Sequence, residues 1–191
     1  MNVNPLRDIL DQEVDFERLR KASTVKLFIS ATNVQTGKNR IFRDDEVDVD
    51  AVMASACLPF MFQSVEIEGD AYWDGGYMGN PAIYPLIYNC TTPDVVIVQV
   101  NPLTLEKTPK TAAEIFNRLN EINFNSTLMR EMRAIAFVTK LIDEGALDSK
   151  NYKRMNIHMI GAEEEMKALG VSSKLNADWA FLTHLRDIGR Q

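Results

Sequence analysis

In the stretch DAYWDGGYMGNPAIYP, Asp70 to Pro85, Asp74 stands directly before Gly75 and Gly76. A carboxylate so placed has two uses. Asp-Gly is a favoured tight-turn pair, because glycine reaches positive φ without a Cβ clash. Two residues without side chains also leave room for another group to approach the carboxylate, which can then act as a general base. The expected signal of a serine nucleophile, a GxSxG turn, is absent from these 191 residues. Ser55 in ASAC has small neighbours, but it falls within a helical pattern and reads as a packing residue. Metal chemistry finds no support: the histidines, His158 and His184, lie far apart and outside any HxH or HxxxH arrangement. His158, inside an apolar run, reads as a core or interface residue, and His184 as a surface or half-buried one. No GxGxxG or Walker loop occurs, so no cofactor is expected.

The elements around Asp74 follow from local patterns. Asn4-Pro5 is a cap followed by a proline at the first helical position, and opens a helix with Leu6, Ile9 and Leu10 on one face. A second short helix starts near Asp15, with Phe16 and Leu19 turned inward. TVKLFISATNV reads as a buried strand, joined through QTGKN to RIFR as a hairpin. Asp48 caps a short helix whose small Ala54, Ser55, Ala56 and Cys57 allow close approach to a neighbouring backbone, with Pro59 ending it. SVEIEGDAYW is a hairpin around Gly69-Asp70 whose second arm runs into Asp74. Asn80-Pro81 repeats the cap-plus-proline pattern before AIYPLIYN.

Downstream, DVVIVQV is apolar on both faces, the mark of a central strand covered on each side. Thr111 to about Asp143 has helical spacing, with NFNST as a candidate break. MNIHMI is a further strand, and Trp179, Leu182 and Leu185 share one face of a last helix. Strands alternating with helices indicate an α/β class, and no linker or repeat divides residues 1–191 into more than one domain.

Composition sets the limits of function. The chain is 46% hydrophobic and 25% charged, with a net charge of −6 and no basic cluster, which argues against nucleic acid as a partner. Cys57 and Cys90 lack CxxC spacing and read as reduced and structural, which points to a reducing, cytoplasmic setting. No apolar run approaches the roughly twenty residues of a membrane span, and MNVNPLRDILDQEV is not a secretory signal.

LFISATNVQTGKNRIF, ASACLPFMFQ and the DGG of Asp74 followed by Asn80-Pro81 resemble the patatin-like phospholipase family, and the later segments resemble a bacterial branch of it. The resemblance implies a three-layer α/β/α fold and hydrolysis of lipid acyl esters by a Ser-Asp dyad without a cofactor. The dyad aspartate belongs to DGG or DGA, a role that falls on Asp74 alone. The family's glycine-rich oxyanion loop and GxSxG precede this region. The expectation is therefore an incomplete patatin-like fold, the C-terminal portion of a hydrolase without its nucleophile, inactive alone. Such a chain would self-associate or pair with a nucleophile-bearing segment, with membrane contact left open. The competing expectation is a non-catalytic lipid- or protein-binding module on the same fold.

Overall fold

The computed structural model describes residues 4–22, 24–162, 165–166, 169, 173 and 176–190, and shows mixed helices and sheets of the α/β class. Packing divides the chain into two compact units, Met1–Thr91 with Ser126–Arg154, and Thr92–Asn125 with Met155–Gln191.

The first unit begins with helices α1 (Pro5–Glu13) and α2 (Phe16–Ala22). Asn4 caps α1 through its side-chain oxygen, which accepts the Leu6 N–H at 3.1 Å. Leu6 and Leu10 are half-buried, whereas Ile9, expected on the same face, is 55% exposed. Strands β1 (Phe28–Asn33), β2 (Asn39–Arg43), β3 (Val65–Ile67) and β4 (Asp70–Asp74) form an antiparallel sheet in the order β2-β1-β4-β3. The β1–β2 connection is closed by buried Asn33, whose Oδ1 accepts from both the N–H and the hydroxyl of Thr36 at 2.9 Å. That local bond satisfies a polar side chain that would otherwise be costly to bury.

The β3–β4 turn sits one residue earlier than the sequence pattern indicates. Ile67 pairs with Asp70, leaving Glu68 and Gly69 as the central residues, with φ of 54° and 90°. Two positive φ values match the twist of the flanking strands, the geometry of a type I′ turn.

Helix α3 (Val49–Ser55) lies against this sheet. Of the small residues expected to allow close approach, Ala54 and Cys57 are buried and Ser55 and Ala56 half-buried; Ala54 packs with Ala51, Ala31, Phe42 and Tyr72. The Phe42 and Tyr72 rings meet edge to face, with centroids 5.6 Å apart. The Asp48 carboxylate accepts the Ala51 N–H at 2.8 Å and caps α3. Asp48→Ala is expected to lower stability by about 0.5–2 kcal/mol in a urea titration, since it strands a helix-end donor.

The Asn80-Pro81 peptide is cis and lies in a turn, so it does not start the next helix. That helix, α4 (Tyr84–Asn89), begins three residues later with Pro85 in its first turn. The Asn80 N–H is taken up by the Thr127 hydroxyl at 3.0 Å.

The second unit contains β5 (Asp94–Gln99) and β6 (Asn156–Gly161), paired in parallel, and the last helix α6 (Trp179–Gly189). Here the expectation for DVVIVQV is corrected. Val95 and Ile97 are buried at 7% and 4%, but Val96 and Val98 are 57% and 70% exposed, so β5 is covered on one face. An apolar run shows that a strand can be buried on both sides, but not that partners for both sides are present. In α6, Asp178 accepts the Phe181 N–H at 3.0 Å, and Phe181, Leu185 and Ile188 form the more buried side. Of the three residues expected to share one face, Trp179 and Leu182 are exposed and Leu185 is half-buried.

Helix α5 (Ala112–Asp143) is continuous. The NFNST segment does not break it, because Asn125 and Thr127 are buried with hydrogen-bond partners: the Asn125 amide donates to the Pro102 carbonyl at 3.0 Å, and the Thr127 hydroxyl accepts from Asn80.

Candidate active site

Asp74 is the last residue of β4, where the chain leaves the sheet for a single 3₁₀ turn, Gly75–Tyr77. Its backbone is fixed on both sides. The N–H donates to the Cys57 carbonyl at 2.8 Å, the carbonyl accepts from the Thr32 hydroxyl at 2.8 Å, and Ala31 is its partner across β1. These anchors hold the Cα of Asp74 in a rigid sheet and leave only the side-chain torsions free.

The side chain turns back over the 3₁₀ turn, and its Oδ1 accepts the Gly76 N–H at 2.7 Å. Among the described residues no other group donates to this carboxylate. Burial pushes the Asp74 carboxyl above the usual carboxylate range, opposed by the Gly76 hydrogen bond. Its negative charge reaches two neighbours. The Tyr77 hydroxyl is pushed up by burial and then by Asp74, and the Cys57 thiol is likewise raised, by burial first. Both groups are therefore held in their neutral forms.

The glycine after Asp74 has a packing reason. A Cβ on Gly75 would lie 2.0 Å from the carbonyl oxygen of Ser30 and 2.4 Å from its carbon, inside any allowed contact. The 3₁₀ turn thus passes directly against β1. Strand alternation turns Trp73 to the face of β4 opposite Asp74, while Tyr77 stays within its electrostatic reach.

Among the described residues no serine donates to Asp74. Ser30, nearest the turn, gives its hydroxyl to Asn39 Oδ1 at 2.8 Å, and Ser55 ends α3. The roles of Thr32 and Cys57 around Asp74 carried no sequence signal, because they act through a carbonyl bond and a backbone oxygen that any spacing permits. A cavity of about 510 Å³ in the same unit is lined by Arg7, Asp50, Met53 and Cys57, and Asp74 is not among its lining residues.

Metal-site geometry is absent among the described residues, where no group of three or more His, Cys, Asp or Glu side chains converges. His158 is on the exposed half of β6, not in a core, and its Nε2 lies 3.1 Å from Asp94 Oδ1. That contact, followed by the Asn156 amide, holds the Asp94 carboxyl below its usual range. His184 is exposed on α6. Cys57 and Cys90 are free thiols, the first buried and the second half-buried. Among the described residues no helix is long and apolar enough to cross a membrane.

Comparison with known proteins places this geometry. The family model described as patatin-like phospholipase matches residues 1–87. A search of the curated proteins returned no match. The matched residues include all four strands of the antiparallel sheet, α3 and the Asp74 turn. Residues 1–87, which carry this sheet and turn, are thus similar to the patatin-like phospholipase family.

Proposed function

We propose that Asp74 is the general base of a Ser-Asp dyad in a lipid acyl hydrolase, and that the serine is supplied by polypeptide outside these 191 residues. The observation that carries this reading is the half-buried Asp74 carboxylate, with one oxygen tied to Gly76 and, among the described residues, no donor on the other. An aspartate at its usual pKa, near ~4, is a weak base at neutrality, and the partial desolvation at this position strengthens it. A serine hydroxyl hydrogen-bonded to the second oxygen would pass its proton to Asp74 as Oγ attacks an acyl carbonyl. The proton would then go to the alcohol released when the acyl–oxygen bond breaks. The substrate class is a lipid or other acyl ester, consistent with the family.

The chain alone is expected to show no turnover of a p-nitrophenyl acyl ester. Hydrolysis is expected only after mixing with a separately expressed GxSxG-bearing segment of a patatin-like protein. Turnover by the unmixed chain that disappears in Asp74→Ala would overturn its inactivity.

A second reading, a non-catalytic lipid- or protein-binding module, has one observation on its side: packing against Ser30 accounts for Gly75 with no chemistry at all. Mixing experiments without turnover, together with direct binding of lipid vesicles, favour that reading. The exposed Val96, Val98, Met159 and Ile160 support association with a second polypeptide, since large apolar surfaces rarely stay bare. Light scattering on the isolated and mixed chains separates self-association from pairing.

A further inference from the structure

We propose that the second unit binds a single acyl chain carrying an anionic head group, with the chain in an apolar cavity and the head at Lys107 and Lys110. The cavity encloses about 840 Å³ and lies entirely within this unit. That volume is in the range of about 300–1,000 Å³ typical of small-molecule sites. Among the residues lining it are Val100, Leu105, Leu169, Phe181 and Leu185, side chains that offer a ligand nothing but apolar contact. An occupant with a long hydrocarbon portion is the one that such walls favour.

Charge selects the sign of the head. Three charged side chains other than the two lysines line the cavity among the described residues, and each is already engaged. Glu114 accepts the backbone N–H groups of Lys110 and Thr111 at 2.8 and 3.0 Å, closing the start of α5 in a capping box. Arg118 and Glu121 pair at 3.0 Å, and Arg118 also donates to the Leu103 carbonyl at 3.1 Å. The ammonium groups of Lys107 and Lys110 pair with no carboxylate among the described residues. Two cations that line an apolar cavity and pair with no carboxylate among the described residues, on a chain of net charge −6, form a local positive site for an anion. The side-chain amide of half-buried Asn117 also lines the cavity, makes no hydrogen bond among the described residues, and can orient the head. This site lies outside residues 1–87 and does not depend on Asp74.

Isothermal titration of the full chain with oleate, 1-oleoyl lysophosphatidate and oleyl alcohol, each below its micelle concentration, tests the site. One saturable site for at least one of the two anions is expected, and the tighter of them identifies the head as carboxylate or phosphate. Lys107→Glu with Lys110→Glu should weaken the anion roughly tenfold or more and leave the alcohol unchanged. Leu105→Asp, at a 45% exposed position that tolerates charge, should weaken all ligands. Phe137→Asp, at an exposed position of the first unit, should change none and controls for non-specific adsorption. Absence of saturable anion binding, unchanged affinity in both cavity variants, or equal losses in the Phe137 control would each overturn the proposal. Circular dichroism of every variant checks that the fold is retained.

Discussion

If Asp74 is the proposed base, Asp74→Asn is expected to reduce acyl-ester turnover in the mixed assay by about 10²–10⁴-fold while making the chain more stable at neutral pH. The two effects have one origin. Asparagine keeps an Oδ1 that can accept the Gly76 N–H, so the 3₁₀ turn keeps its cap, but the amide cannot take a proton from serine. The stability effect follows from the direction of the pKa shift. Burial raises the folded-state value above the unfolded one, so the native state favours the protonated acid, and ionised Asp74 is a cost that the folded protein carries at high pH. In the wild type, the favourable contribution is complete below the unfolded pKa, near the usual aspartate value of 3.8, and is lost as pH rises through the folded value. Asparagine does not titrate. The gain in melting temperature should therefore be largest at about pH 7–8 and vanish at pH values below both. Melting curves across pH, paired with turnover in the mixed assay, measure both sides. A variant with unchanged kcat would remove Asp74 from the chemistry, and a gain that grew in acid would contradict the burial of its charge.

Gly75→Ala is expected to produce the largest loss of stability of any single methyl addition near the site, about 3 kcal/mol or more by urea denaturation. The neighbour that a new Cβ meets is backbone, the Ser30 carbonyl at 2.0 Å, and backbone within a paired strand cannot rotate away as a side chain would. Relief requires the 3₁₀ turn to lift off β1, and that movement takes the Asp74 bonds to Thr32 and Cys57 with it. Activity in the mixed assay should fall with stability, in contrast to Asp74→Asn, where the two move apart. An alanine variant of wild-type stability would show that the turn is not fixed against β1. By comparison, Asp48→Ala removes a single cap from α3 and should leave the Asp74 turn in place.

What could be read directly from residues was whatever depends on near neighbours in the chain. Asn4 and Asp48 announce their helices because a cap bonds to a backbone N–H two or three residues away. The β1–β2 and β3–β4 hairpins are legible because turn chemistry and strand alternation are short-range, with an error of one residue at Glu68-Gly69 where both positions need positive φ. Asp74 stood out because its neighbours carry no side chains, although sequence left open whether Gly75 served a turn, a close approach or chemistry. Only the tertiary structure answers that, since the Ser30 carbonyl that forbids a Cβ is remote in sequence and arrives through β1–β4 pairing. The same holds for the exposed His158, the half-covered β5, the unbroken α5 and the cavity that Lys107 and Lys110 help to line. In each, hydropathy and spacing state what a segment could bury, while the actual cover depends on which distant segment folds against it.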